Sequence, residues 1–297
     1  DLAPDTAMPR NKGGVRAVPS WSEDDSFLIT YGDTILSDDC RPLQNTLAFL
    51  NGHLKNTVSG VHILPFFPFT SDDGFAVSDY DTVRHDLGDW DDIGAIGRGY
   101  RLMSDVVINH ASAGHRWFQQ FLEDKPPGRD FIKTAALDDD ISQVTRPRPS
   151  PLLYAHETDA GEKWVWCTFG PVQIDLDFSN PDLLCEFIQL LRFYIDKGVR
   201  VFRLDAVGFL WKQSGTNCLH LQETHEIVKL MRTLVDHLDE NIWLITETNV
   251  PAHENLEYFG NSNDAHLIYN FALPPLLIHA LLTGRSSYLR RWMMSTA

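Results

Sequence analysis

Arg203 and Asp205 stand two residues apart in GVRVFRLDAVGF, an apolar run with the character of a buried strand. Side chains at i and i+2 share one face of a strand, so Val199, Val201, Arg203 and Asp205 point one way and Phe202 and Leu204 the other. Two further apolar runs end in polar groups in the same manner. DVVINH carries Asp105, Asn109 and His110, and ITETN carries Glu247 and Asn249. Two carboxylates facing each other across a cleft can break a glycosidic bond. One attacks the anomeric carbon while the other protonates the leaving oxygen, and a separation of roughly 5 Å makes the outcome retaining. Asp205 and Glu247 suit those roles, and Arg203 beside Asp205 would keep the nucleophile ionised and oriented. Singly, each group has a structural reading. Asp105 at mid-strand is a hydrogen-bonding group, Arg203 with Asp205 a buried ion pair, and Glu247 a helix cap or rim carboxylate. Their recurrence at three strand ends favours one shared site.

Polar groups gathered at the C-terminal ends of parallel strands are how a (β/α)8 barrel builds an active site. Strand-like runs occur at FLITY (27–31), VHILPF (61–66), RLMSDVVI (101–108), VRVFRLD (199–205), IWLITE (242–247) and AHLIYNF (265–271). Helical runs lie between several of them. SNPDLLCEFIQLLRFYIDKG has Asn180 as N-cap, Pro181 at the first helical position and a stop at Gly198, and THEIVKLMRTLVDHLDE repeats Ile227, Leu230, Met231 and Leu234 at helical spacing. Apolar strands alternating with amphipathic helices imply a parallel sheet covered on both faces, an α/β TIM barrel. Six strands against the eight of a closed barrel make it incomplete, with about six βα units. We expect a weakly ordered leader over 1–26, a catalytic barrel over 27–297 that is truncated at its C-terminus, and an irregular insertion after the third strand, about 111–172, that walls the cleft.

The chain has 297 residues, 43% of them hydrophobic, enough for a large core. Its 25 basic and 41 acidic residues give a net charge of −16, which argues against nucleic acid or an anionic membrane as partner and leaves a small molecule. Four dispersed cysteines with no CxxC pair suggest neither a zinc site nor a disulfide framework, and reduced thiols fit a cytoplasmic setting. The N-terminus has no apolar h-region, and NFALPPLLIHALL is broken by prolines and a histidine, so neither export nor a membrane span is expected. SDDGF and LDDDIS read as acidic surface turns rather than calcium loops, so no metal is expected.

DVVINH, GVRVFRLDAVGF and ITETN resemble three of the four signature regions of the α-amylase superfamily, glycoside hydrolase family 13. VHILPFFPFTSDDGFAVSDYDTV and FGPVQIDLDFSNP look like its sucrose phosphorylase subgroup, and LDAVGFLWKQSGTNCLHLQETHEIVKLMR and TETNVPAHENLEYFG are similar to the glucosylglycerate phosphorylase branch. The resemblance implies a (β/α)8 barrel with a B-domain-like insertion and retaining glucosyl transfer from a glucoside such as glucosylglycerate or sucrose to inorganic phosphate. It implies Asp205 as nucleophile and Glu247 as general acid/base, with Arg203, His110, Asp79 and Gln173 holding the glucosyl ring. No nucleotide or redox cofactor is implied.

Members of that family carry a third catalytic carboxylate, an aspartate in a His-Asp motif on the seventh strand. Here residues 265–297 contain no Asp or Glu, so the chain as it stands is expected to be an inactive fragment of a longer protein. Two other readings stay open, an α-glucosidase or amylase-type hydrolase that uses water, and a non-catalytic sugar-binding relative.

Overall fold

The computed structural model describes residues 21–296 except 137 and 240, so most of the leader expected over 1–26 lies outside the described residues. Six strands form the central sheet: β1 (Phe27–Thr30), β2 (Gly60–Ile63), β3 (Arg101–Val107), β4 (Val199–Asp205), β5 (Trp243–Thr246) and β6 (Leu267–Ile268). They lie side by side in chain order and every pair is parallel. Helices α1 (Pro42–His53), α2 (Trp90–Gly99), α3 (Pro181–Asp196) and α4 (Gln222–Leu238) return the chain between strands, and α5 (Leu273–Thr283) and α6 (Ser287–Thr296) follow β6. A sequentially ordered parallel sheet with interleaved helices is the topology of a (β/α) barrel, here a curled sheet short of closure.

Local signals place the elements that carry the site. Pro181 starts α3, the Asn180 side chain accepts from the Asp182 N–H, and Gly198, at φ +100°, turns the chain directly into β4. Asp89 and Asp92 form a reciprocal capping box on α2.

The predicted alternation on β4 holds along most of the strand. Val201 packs inside the sheet with Met103 and Trp243, whereas Phe202 and Leu204 join Leu183, Phe187, Leu191 and Tyr194 of α3 on the helix side. Val199 departs from it and joins the helix-side cluster. The cause is a register shift: Leu102 pairs with Val199 but Met103 with Val201, which leaves Arg200 as an extra residue and reverses the alternation below it. β6 is also shorter than its apolar run, because a strand at the edge of this sheet is paired only to β5.

The stretch 111–172 is more ordered than its composition suggests. It contains a helix, Arg116–Leu122, and a three-stranded antiparallel sheet of Thr134–Ala135, Leu153–Thr158 and Gly161–Trp166. An antiparallel pair, His110–Ser112 with Gln173–Asp175, draws its two ends together directly above β3.

No described helix is long and apolar enough to cross a membrane. Neither α5 nor α6 buries a residue, and Leu281, Leu282 and Met294 are exposed.

Phe202 is fully buried between the sheet and α3. Phe202→Ala in the full-length protein is expected to cost about 3–5 kcal/mol in urea unfolding. A loss below about 1 kcal/mol would show that the sheet–helix layer is not the principal core.

Candidate active site

The C-terminal ends of β3, β4 and β5 open onto a cleft of about 720 Å³. Of the six residues given a catalytic or ring-holding role from the sequence, five line it, Asp205, Glu247, Arg203, His110 and Gln173, and Asn249 at the end of the ITETN run lines it as well.

Arg203 is the hub. Its Nη1 lies 2.5 Å from Asp105 Oδ1 and 2.8 Å from Asp205 Oδ1, and its Nη2 lies 3.9 Å from Glu247 Oε1. The guanidinium carbon sits 5.4 Å from the Phe75 ring centre and 5.5 Å from that of Tyr269, so two aromatic rings help to orient it. Burial opposes its charge, but Asp105, Asp205 and Glu247 outweigh burial and raise its pKa, so it stays a cation. Asp105 is fully buried, and its other oxygen is 2.8 Å from His62 Nε2. The structural reading therefore holds for Asp105, which anchors Arg203 from below.

Asp205 is 7% exposed at the end of β4. Burial pushes its carboxyl up to about 7; Arg203 pulls it down, while Glu247 and Asp105 add to the rise. The expectation that Arg203 keeps this carboxylate ionised is corrected in degree, since the cation opposes the desolvation cost without cancelling it.

Glu247 is held by the residue that follows Asp205. Its Oε2 accepts a hydrogen bond of 3.0 Å from the Ala206 N–H, and Ala206 is in the left-handed region at φ +51°. A non-glycine residue pays on the order of 1 kcal/mol for that conformation. The turn links the two carboxylates through a single peptide unit.

His110 is buried, and burial lowers its pKa, so the ring is neutral. Its Nε2–H donates to the Phe75 carbonyl at 2.8 Å, which leaves Nδ1 to accept from the Asn109 amide at 3.3 Å. Behind it, Lys212 Nζ donates to Asn109 Oδ1 at 2.7 Å and lies 2.9 Å from Asp175 Oδ2. This buried network fixes the orientation of His110 in the wall.

Asp79 is not brought into the cleft. Its Oδ1 accepts from the Asp81 N–H at 2.8 Å and its Oδ2 from the Thr82 hydroxyl at 3.1 Å, so it caps its own turn. The acidic residue that does line the cleft is Asp72, whose Oδ2 accepts from Gln173 Nε2 at 3.0 Å. Its backbone is left-handed at φ +57°. SDDGF read as an acidic surface turn, and the turn that carries Asp72 inward has no signature in residue type. Arg148 of the insertion also lines the cleft and has no counterpart in the sequence reading. Among the described residues, no group of three or more His, Cys, Asp or Glu side chains is placed to hold a metal ion.

These groups can carry out displacement at an acetal carbon, with Asp205 as nucleophile and Glu247 as proton donor. An attacking carboxylate must be ionised, so with Asp205 near 7 the value of kcat/KM should rise as pH increases through that point and fall below it. Arg203→Met removes the opposing cation, and the limb should move up by about one pH unit or more. A limb that stays in place in that variant would show that Asp205 does not control it.

The α-amylase catalytic-domain model matches residues 44–286. The chain is 49% identical over 284 residues to a glucosylglycerate phosphorylase of Allomeiothermus silvanus, covering 95% of this chain and 50% of that protein. It is 31% identical to a sucrose phosphorylase of Agrobacterium vitis, covering 90% of this chain and 55% of that one. It thus spans about half the length of the curated relatives it matches. Among solved structures, sucrose 6F-phosphate phosphorylase from Thermoanaerobacter thermosaccharolyticum superposes with a TM-score of 0.79 at 26% identity, over 91% of this chain and 56% of that one.

Proposed function

The chain belongs to the α-amylase family, and we propose that it is the nucleophile- and acid/base-bearing part of a retaining glucoside phosphorylase acting on glucosylglycerate. The observation that carries the chemistry is the joining of Asp205 and Glu247 through Arg203 and the Ala206 N–H in one cleft. Phosphate as acceptor and glucosylglycerate as donor are carried over from the glucosylglycerate phosphorylase, 49% identical, that the chain matches.

In this reading the Asp205 carboxylate forms a bond to the anomeric carbon as the glycosidic C–O bond breaks, and protonated Glu247 delivers its proton to the departing glycerate oxygen. A phosphate oxygen then attacks the same carbon. The ester bond to Asp205 breaks, Glu247 takes back the proton from phosphate, and two inversions give α-glucose 1-phosphate with retention. Arg203 stabilises the Asp205 carboxylate before attack and after release, and His110, Gln173 and Asp72 present hydrogen-bonding groups to the glucosyl ring. The insertion roofs the cleft through Arg148.

We further propose that these residues are part of a longer protein, because they span about half of the relatives they match and their sheet has six strands, and that this protein is cytoplasmic, a setting that suits its four dispersed, free cysteines. The remaining barrel units and a third catalytic carboxylate would come from the rest of that protein, and the chain alone would be inactive.

The test is product analysis with the full-length protein. Glucosylglycerate in phosphate buffer should give α-glucose 1-phosphate in an amount matching the glycerate released, faster than sucrose does. Free glucose at an equal rate without phosphate would make the protein a hydrolase and overturn the reading.

A further inference from the structure

Two cleft residues have no part in the mechanism above, His220 from the loop between β4 and α4 and Glu254 from the segment after β5. The imidazole Nδ1 of His220 is 2.7 Å from the Tyr258 hydroxyl. Its Nε2 is buried, has no hydrogen-bond partner among the described residues, and lies 3.9 Å from Glu254 Oε2. The surroundings are built for this ring. The His220 N–H donates to the Gly208 carbonyl at 2.9 Å, and a Cβ at position 208 would come within 2.8 Å of the imidazole Cε1. The glycine three residues beyond the nucleophile is thus what leaves room for His220.

The tautomer follows from the partners. Burial raises the pKa of the Tyr258 hydroxyl, so it keeps its proton and donates it to Nδ1, which places the imidazole hydrogen on Nε2. The opposite tautomer would strand the Tyr258 proton and aim a nitrogen lone pair at the Glu254 carboxylate. Burial also drives His220 down to about 4, so the ring is neutral at working pH. What faces the cleft is an uncharged N–H donor beside a carboxylate acceptor. The Glu254 side chain is 37% exposed and can turn to admit an oxygen between the two.

A hydroxyl group satisfies that pair, accepting from Nε2–H and donating to the carboxylate. A carboxylate would be repelled by Glu254, and a methyl group would leave both partners unpaired. We propose that His220 and Glu254 read a hydroxyl on the leaving, non-glucosyl part of the substrate, and so select hydroxyl-bearing acceptors. This rests on the phosphorylase reading above and assigns the acceptor side of the same cleft.

The test runs the full-length enzyme in reverse, from α-glucose 1-phosphate, with glycerate or with lactate, which lacks only the terminal hydroxyl. The wild type should favour glycerate by about 10-fold or more in kcat/KM. In His220→Met the ratio should fall to within about threefold of unity, chiefly through a higher KM for glycerate, and His220→Gln, which keeps a donor, should retain part of it. Glu254→Gln alters the same hydroxyl contact from the other side and should also lower the ratio. Because Glu254 is partly exposed, that variant decides the matter should His220→Met not fold. A wild type that releases phosphate with neither acceptor overturns the phosphorylase reading and the inference with it. A wild type active on both acceptors with no preference, or a ratio unmoved in the folded variants, overturns the inference alone.

Discussion

Asp205→Asn in the full-length protein is expected to lower glucosyl transfer from glucosylglycerate on the order of 10⁴-fold or more. An amide nitrogen or oxygen is a poor nucleophile toward an acetal carbon, and the two carboxylates that share Arg203 with Asp205 are both engaged elsewhere. Asp105 is fully buried beneath Arg203, with its oxygens directed to Arg203 and His62, and Glu247 is bound to the Ala206 N–H. The substitution keeps shape and retains an oxygen for the Arg203 contact at 2.8 Å, so substrate affinity measured by calorimetry should change far less than kcat. Residual activity above about one-tenth of wild type would remove Asp205 from the nucleophile role.

Glu247→Gln is expected to lower turnover of glucosylglycerate by about 10²–10⁴-fold, because glutamine has no proton to give the departing oxygen. The glutamine carbonyl can still accept from the Ala206 N–H, so the backbone turn that joins Asp205 to residue 247 should survive. The loss should depend on the leaving group. Fluoride leaves with little protonic help, so α-glucosyl fluoride should show a much smaller deficit in the first step than glucosylglycerate. Equal deficits on both substrates would mean that Glu247 acts by charge or position and is not the acid.

The parts of this site legible in sequence were those written in period and in polarity against burial. An arginine and an aspartate at i and i+2 in GVRVFRLD could only share a face, and the structure places both at the cleft with Val201 beneath them on the same side. The α3 helix was equally readable, since its cap, its first proline and its terminal glycine are local signals. What failed depends on backbone conformations that residue type does not announce. Asp72 and Asp79 sit seven positions apart in the same acidic segment, and the left-handed turn at Asp72 sends that side chain inward while Asp79 caps its own turn. Val199 faces the helix side, against the simple alternation, for the same reason: one extra residue at Arg200 shifts the register. The value near 7 for Asp205 was out of reach as well. Neighbouring charges can be listed from sequence, but the desolvation that outweighs Arg203 exists only once the cleft wall has formed.

In the proposed reaction Asp205 carries the glucosyl group as a covalent ester until phosphate takes it. The direct measurement incubates the full-length protein with 5-fluoro-α-glucosyl fluoride, whose ring fluorine slows breakdown of the intermediate, and follows intact and peptide mass before and after a phosphate chase. One fluoroglucosyl adduct is expected, located on Asp205 and absent in Asp205→Asn, that phosphate discharges as 5-fluoro-α-glucose 1-phosphate much faster than buffer without phosphate does. An adduct on another residue would contradict the assignment of the nucleophile, and discharge at the same rate without phosphate would contradict the phosphorylase.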